Sequence, residues 1–200
     1  MKNILFTLAL LISFVSFGQT ADEYYNRGNS KGKLKNYYGA IADYTKAIEI
    51  NPNYASAYTN RGVSKYLLKN YYGAISDYTR AIELDPNYAG AYFKRGNSKS
   101  ALKDYNGAIA DYTKAIDINP NYAYAYTNRG VSKDKLKDYY GAISDYTRAI
   151  EINPNAATSY SNRGNSKYDL GDKNAACVDW KKAAEFGDTN AAEWVAKQCN

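Results

Sequence analysis

Residues 21–54 read ADEYYNRGNSKGKLKNYYGAIADYTKAIEINPNY, and residues 55–88 read ASAYTNRGVSKYLLKNYYGAISDYTRAIELDPNY. Set in rows of 34, the chain continues as 89–122, 123–156 and 157–190, and its four prolines, Pro52, Pro86, Pro120 and Pro154, share one column. Tyr24, Arg27, Gly28, Ser30, Lys31, Leu34, Ala40, Asp43 and Ala47 recur in all five rows. A period of this size marks supersecondary units that bury their apolar faces by stacking on one another. Each row reads as two helices. The first runs from about residue 21 to 34, and Asn36, Asn70, Asp104, Asp138 and Asp172 then recur as N-caps of the second. Ala40, Ile41, Tyr44, Ala47 and Ile48 give that helix one apolar face. It stops at Asn51-Pro52, because a residue before proline is pushed out of the α region.

Composition narrows the chemistry. The 200 residues include 26 Lys and Arg, 20 Asp and Glu, two Cys and no His. A histidine triad, a histidine metal site and a histidine pH switch are excluded, and two Cys are too few for a thiolate zinc site. No nucleophile motif or phosphate-binding glycine loop appears, so neither catalysis nor a cofactor or metal is expected. At the N-terminus, Lys2 precedes the apolar run Ile4 to Phe17, which is too short to span a bilayer, and Ser16-Phe17-Gly18 offers a small-residue cleavage site. Residues 1–18 therefore read as a signal peptide and 19–200 as an exported bacterial chain, periplasmic or secreted. An uncleaved anchor is the alternative. Export makes nucleic acid an unexpected partner, and no stable membrane span is expected once the signal is removed.

In register, the rows resemble the tetratricopeptide repeat family, whose pattern is W-x2-L-G-x2-Y…A-x3-F…P. Tyr24, Tyr58, Tyr92, Tyr126 and Tyr160 stand in the Trp slot, and Gly28, Gly62, Gly96, Gly130 and Gly164 in the Gly slot. Ala40, Ala74, Ala108, Ala142 and Ala176 take the Ala slot, and Tyr44, Tyr78, Tyr112, Tyr146 and Trp180 the Phe slot. The resemblance implies an all-α, right-handed solenoid of five helix-turn-helix repeats with a capping helix over 191–199. Residues 183–192 also faintly resemble Sel1-type repeats.

Two slots depart from the family pattern. Arg27, Arg61, Arg95, Arg129 and Arg163 replace its Leu, and Lys31, Lys65, Lys99, Lys133 and Lys167 its Tyr. Such paired cations need an anion. Asp43, Asp77, Asp111, Asp145 and Asp179 lie as far beyond the turn as the arginines lie before it, so an antiparallel pair sets them side by side. A structural ion pair in each repeat is expected, the alternative being an anion-binding ladder. Cys177 and Cys199 lie 11 residues either side of Asp188. A disulfide stapling the cap is expected, with two buried thiols as the alternative.

The family usually holds its ligand on the concave face lined by first helices. The residues expected there are the ladders Asn26, Asn60, Lys94, Asn128, Asn162 and Asn29, Val63, Asn97, Val131, Asn165, with Tyr25, Phe93, Tyr66 and Tyr168. Amides donate and accept hydrogen bonds, and the resemblance implies that such a row holds an extended polypeptide by its backbone. Of the family's carboxylate-clamp set only Asn29, Asn60 and Lys94 come near, so that function is not carried over. Rows two and four match at 27 of 34 positions and rows one and three at 25. A duplicated 68-residue unit of this kind suits a repetitive or sequence-neutral ligand, or reflects duplication alone. The expected function is a non-catalytic interaction module whose partner is another protein or peptide. The alternatives are a glycan binder and a structural spacer or self-associating subunit, the last favoured if Tyr38, Tyr72 and Tyr140 form an exposed strip. The oligomeric state stays open.

Overall fold

The computed structural model describes residues 19–199. The signal-peptide reading of residues 1–18 lies outside the described residues. Those described form eleven helices and no strand. The first helices of the repeats are α1 (Ala21–Lys33), α3 (Ala55–Leu67), α5 (Ala89–Ala101), α7 (Ala123–Lys135) and α9 (Ala157–Asp169). The second helices are α2 (Tyr37–Ile50), α4 (Tyr71–Leu84), α6 (Tyr105–Ile118), α8 (Tyr139–Ile152) and α10 (Lys173–Glu185), and α11 (Thr189–Gln198) closes the stack.

The expected caps form. Asn36 and Asn70 accept from the Gly39 and Gly73 N–H groups, Asp104 and Asp138 from those of Gly107 and Gly141, and Asp172 from that of Ala175. The turn before each cap carries an unexpected feature. Lys35, Lys69, Lys103 and Lys137 adopt φ of 60–64°, the left-handed region where a Cβ is strained, whereas the fifth row has Gly171 there at φ 89°.

Packing is built on small residues. Ala40, Ala47, Ala57 and their copies are fully buried. A Cβ added at Gly28, Gly62, Gly96 or Gly130 would lie 2.6–2.7 Å from the Tyr44, Tyr78, Tyr112 or Tyr146 ring. The mid-helix glycine therefore exists to receive the aromatic of the second helix. Each helix touches the next, and first helices also touch one another across repeats (α1 with α3, α3 with α5, α5 with α7, α7 with α9). Second helices stand farther apart, so the stack curves with the first helices on its inner face.

The expected ion pairs are present in every repeat, in a richer form than a pair. In the second, Arg61 Nε and Nη2 donate to Asp77 Oδ2 and Oδ1 at 3.0 and 2.7 Å, and Lys65 Nζ lies 2.7 Å from Oδ2. The same triad binds Asp43, Asp111, Asp145 and Asp179. The guanidinium lies over the ring of Tyr24, Tyr58, Tyr92, Tyr126 or Tyr160 at 4.7–5.5 Å. Its remaining nitrogen reaches the previous repeat: Arg61, Arg95, Arg129 and Arg163 donate from Nη1 to Thr45, Thr79, Thr113 and Thr147. One side chain thus locks its own helix pair and fastens it to its neighbour.

At the C-terminal end Cys177 and Cys199 are joined in a disulfide, Cα atoms 5.6 Å apart. Trp180 and Trp194 meet beside it with ring centroids 5.5 Å apart. The helix α11 begins two residues earlier than expected and puts Ala191 into the core, while Ala192 and Ala196 face solvent.

Candidate functional site

Clefts lie along the inner face of the described residues, and consecutive ones share residues. The cleft between α1 and α3 shares Val63 and Leu67 with the next, which shares Tyr66 and Asn97 with the third. The third meets the fourth at Val131, and the fourth meets the last, under Trp180 and Trp194, at Asn165 and Asp169. They form one groove that crosses all five repeats.

Eleven of the expected concave residues line it, among them Asn29, Asn60, Val63, Tyr66, Lys94, Asn97, Asn128, Val131 and Asn165. The other two, Asn162 and Tyr168, lie toward the C-terminal end. Asn26 is exposed at the N-terminal end and lines no cleft. Tyr25 and Phe93 are placed differently from expectation. Their rings pack 4.8 Å from Tyr54 and Tyr122 and 5.8–5.9 Å from Tyr44 and Tyr112, between repeats. Their column points into the interface with the next repeat, and its other members Thr59, Thr127 and Ser161 are buried.

The asparagines are partly engaged within the fold, in a regular way. Trp180 Nε1, which can only donate, gives its hydrogen to Asn165 Oδ1 at 2.9 Å. The hydroxyls of Tyr44 and Tyr112 donate likewise to Asn29 and Asn97 Oδ1 at 2.8 Å. Asn60 and Asn128 then donate from Nδ2 to those same oxygens at 2.9 Å, and Asn60 also to the Tyr25 hydroxyl. The carbonyls of Asn29, Asn97 and Asn165 are therefore engaged and their NH2 groups left to donate. Asn60 and Asn128 engage their NH2 groups and keep their carbonyls to accept.

Where Val63 and Val131 replace asparagine, the aromatic hydroxyl finds another partner or none. Tyr146 donates to Asp134 Oδ2 at 2.6 Å, and Asp134 Oδ1 also accepts from Ser166. Burial raises the Asp134 pKa above the usual carboxylate value, and the two hydrogen bonds only partly offset this. In the second repeat Tyr66 stands in the place of Asp134, and Tyr78 has no hydrogen-bond acceptor among the described residues. Burial pushes the Tyr44 hydroxyl pKa to about 12 and raises those of Tyr78, Tyr112 and Tyr146. These groups stay neutral donors at any physiological pH.

Lys94 also stands apart. The other four rows carry Asn26, Asn60, Asn128 and Asn162 in its place, and it forms no ion pair with a described residue, although burial lowers its pKa. Among the described residues no cluster of three metal-ligating side chains occurs, and no helix is long and apolar enough to cross a membrane.

No curated protein matches the chain in sequence. Solved structures do. MamA superposes with a TM-score of 0.77 at 27% identity, covering 82% of this chain and 96% of its own. YrrB, described as a TPR protein with an unusual peptide-binding site, gives 0.75 at 21% identity, covering 88% and 92%. PilF of Pseudomonas aeruginosa gives 0.77 at 21%, covering 86% and 78%. The last two likenesses bear on fold alone. A tetratricopeptide repeat family model matches residues 21–54, 55–88 and 123–156, a second so described matches 77–110, and a TPR repeat model matches 96–133. The fifth unit, 157–190, lies outside those segments, yet it repeats the Arg163–Asp179–Lys167 triad and the glycine-aromatic contact. Repeat pattern, helical stack and family models agree: the chain belongs to the tetratricopeptide repeat family.

Proposed function

We propose that this chain is a non-catalytic interaction scaffold that holds an extended segment of another protein in the groove of its first helices. One observation carries the reading. Because Asn29, Asn97 and Asn165 accept within the fold while Asn60 and Asn128 donate, what is left toward the groove alternates: the Asn29 NH2 to donate, the Asn60 carbonyl to accept, the Asn97 NH2 to donate, the Asn128 carbonyl to accept and the Asn165 NH2 to donate. An extended peptide presents N–H and C=O groups in alternation, and a row of this kind pairs with its backbone whatever its side chains. The peptide-binding site described for YrrB, which shares the fold, supports the same class of ligand. A groove built from small connected clefts suits a thin chain more than one compact molecule.

We further propose that the scaffold works outside the cytoplasm, as a periplasmic or secreted protein. The basic-apolar-small order of residues 1–18 supports export, and the Cys177–Cys199 bridge suits an oxidising compartment.

The test is capture from periplasmic and culture fractions by the chain from residue 19 onward, beside Asn60→Ala/Asn128→Ala checked for helicity. Binding lost in the double variant supports the groove, and equal binding places the site elsewhere. Retention on insoluble polysaccharide instead would favour a glycan ligand. A second reading, self-association, has its own support, because Tyr38, Tyr72 and Tyr140 on the second helices are each 76% exposed. Sedimentation over a hundredfold concentration range tests it, and a constant mass removes it.

A further inference from the structure

The turn inside each repeat holds a side chain that its backbone does not need. Lys35, Lys69, Lys103 and Lys137 sit at φ of 60–64°, where a Cβ is strained, and the fifth row fills the same turn with Gly171. The backbone bonds are alike in both forms. The N–H groups of Lys35 and Asn36 reach the carbonyls of Gly32 and Lys31, as those of Gly171 and Asp172 reach Tyr168 and Lys167. Lysine is therefore kept four times at a cost in stability, and strain that the fold does not require points to a function of the side chain. The ion pairs near these turns are made by Lys31, Lys65, Lys99 and Lys133. Among the described residues none is made by Lys35, Lys69, Lys103 or Lys137. All four are exposed, and all four lie at the same edge of the stack, between the first and second helices.

Apolar side chains stand among these charges. Leu34, 80% exposed, lies between Lys33 and Lys35, and Leu136, also exposed, lies between Lys135 and Lys137. Tyr38, Tyr72 and Tyr140 are exposed at the starts of the second helices, just beyond the turns. At the first two turns nothing local balances the charge. No carboxylate occurs between Lys31 and Asp43 or between Lys65 and Asp77, and those two aspartates are buried in the ion triads. The opposite edge differs: residues 51–54, 85–88, 119–122 and 153–156 contain no Lys or Arg. One edge of the stack is thus basic, aromatic and aliphatic at once. Such a surface fits the boundary of an anionic bilayer, where ammonium groups meet phosphates while Tyr and Leu enter the headgroup region. An anionic glycan would engage the lysines and leave Leu34 and Leu136 in water. We infer that this edge docks the protein on an anionic lipid surface. The inference does not depend on the groove reading. The turns lie at one end of the first helices and the groove crosses their sides, so a stack docked edge-on keeps its groove open.

The test is co-sedimentation of the chain from residue 19 onward with vesicles of phosphatidylcholine, alone or mixed with phosphatidylglycerol. Binding is expected on the anionic vesicles only, and it should weaken as salt rises. Each lysine near such a surface multiplies binding about fivefold, so Lys35→Gly/Lys69→Gly/Lys103→Gly/Lys137→Gly should lower it by about a hundredfold or more. That variant also relieves the four strained turns. Binding should therefore fall while resistance to urea rises, a combination that a damaged fold does not produce. Tyr38→Ser/Tyr72→Ser/Tyr140→Ser keeps every charge and should lose about tenfold. Absence of binding to the anionic vesicles would overturn the inference, and so would binding that survives in the glycine variant. Binding untouched by the serine variant would mean adsorption by charge alone and overturn the inserted edge. Two other occupants have their own signatures. Retention on an anionic polysaccharide without vesicle binding assigns the lysines to a glycan, and a mass that rises with concentration without vesicle binding assigns the tyrosines to a second copy. Either result overturns the lipid docking and leaves the groove in place.

Discussion

Replacing Asp77 by alanine puts the ion triad to a quantitative test. Asp77 is 3% exposed, accepts two hydrogen bonds from Arg61 and pairs with Lys65, whose side chains are 16% and 20% exposed. Alanine leaves two largely covered cations about 3 Å from a void, and removing one partner of a buried pair costs about 3–5 kcal/mol. Partial exposure of both cations points to the lower end, about 3 kcal/mol. For a chain of this size that corresponds to a fall in Tm of roughly 6–12 °C. Arg61 would also lose the support that aims its Nη1 at Thr45, so the first repeat should detach early and broaden the transition. Urea unfolding followed by circular dichroism reads both effects. Asp43→Ala should cost less, because Arg27 at 43% and Lys31 at 33% side-chain exposure are already hydrated. The triple variant Asp77→Ala/Arg61→Leu/Lys65→Tyr, which brings in the family's apolar slot residues, should regain much of the loss, since an apolar replacement of a buried pair is often neutral. A loss below about 1 kcal/mol in Asp77→Ala would refute the reasoning.

Three further outcomes follow. Gly96→Ala drives a Cβ to 2.7 Å from the Tyr112 ring and should destabilise by about 1–3 kcal/mol, read as a fall in Tm, although alanine is the better helix former. Lys69→Gly relieves a left-handed residue and should stabilise by about 0.5–1 kcal/mol, and doing the same at Lys35, Lys103 and Lys137 should add to it in a urea titration. The folded-state pKa of Asp134 is raised, so the native state holds its proton more tightly than the unfolded chain does. Stability from this site therefore rises as pH falls from neutral through that raised pKa, and it levels off below the unfolded value of about 3.9. Asp134→Asn, which can still accept from Tyr146, should lack this gain when Tm is followed from pH 7 to pH 4.

Much of the architecture is legible in the sequence because one repeat contains its causes. The period, the N-caps, the stop before proline and the facing of Arg27 with Asp43 all follow from spacing within 34 residues. What escapes a single-repeat reading depends on how repeats sit against each other. The contact of Arg61 with Thr45, the placement of Tyr25 and Phe93 between repeats and the Asn60–Asn29 bridge are set by the stacking angle, which no periodicity encodes. The alternation of Asn and Val after the glycine is visible in the rows. Its meaning, an acceptor supplied to one aromatic and withheld from Tyr78, emerges only when the second helix is in place.

The central claim is that leftover amides along the groove hold a polypeptide by its backbone. The most direct measurement is a 1H–15N NMR titration of the chain with a peptide selected on it, following the side-chain NH2 signals. The account predicts that the Asn29, Asn97 and Asn165 NH2 signals shift together, and that N-methylating alternate backbone amides of the peptide abolishes the effect. Shifts confined to the backbone amides of Tyr38, Tyr72 and Tyr140 on the second helices, with those three asparagines unmoved, would contradict it.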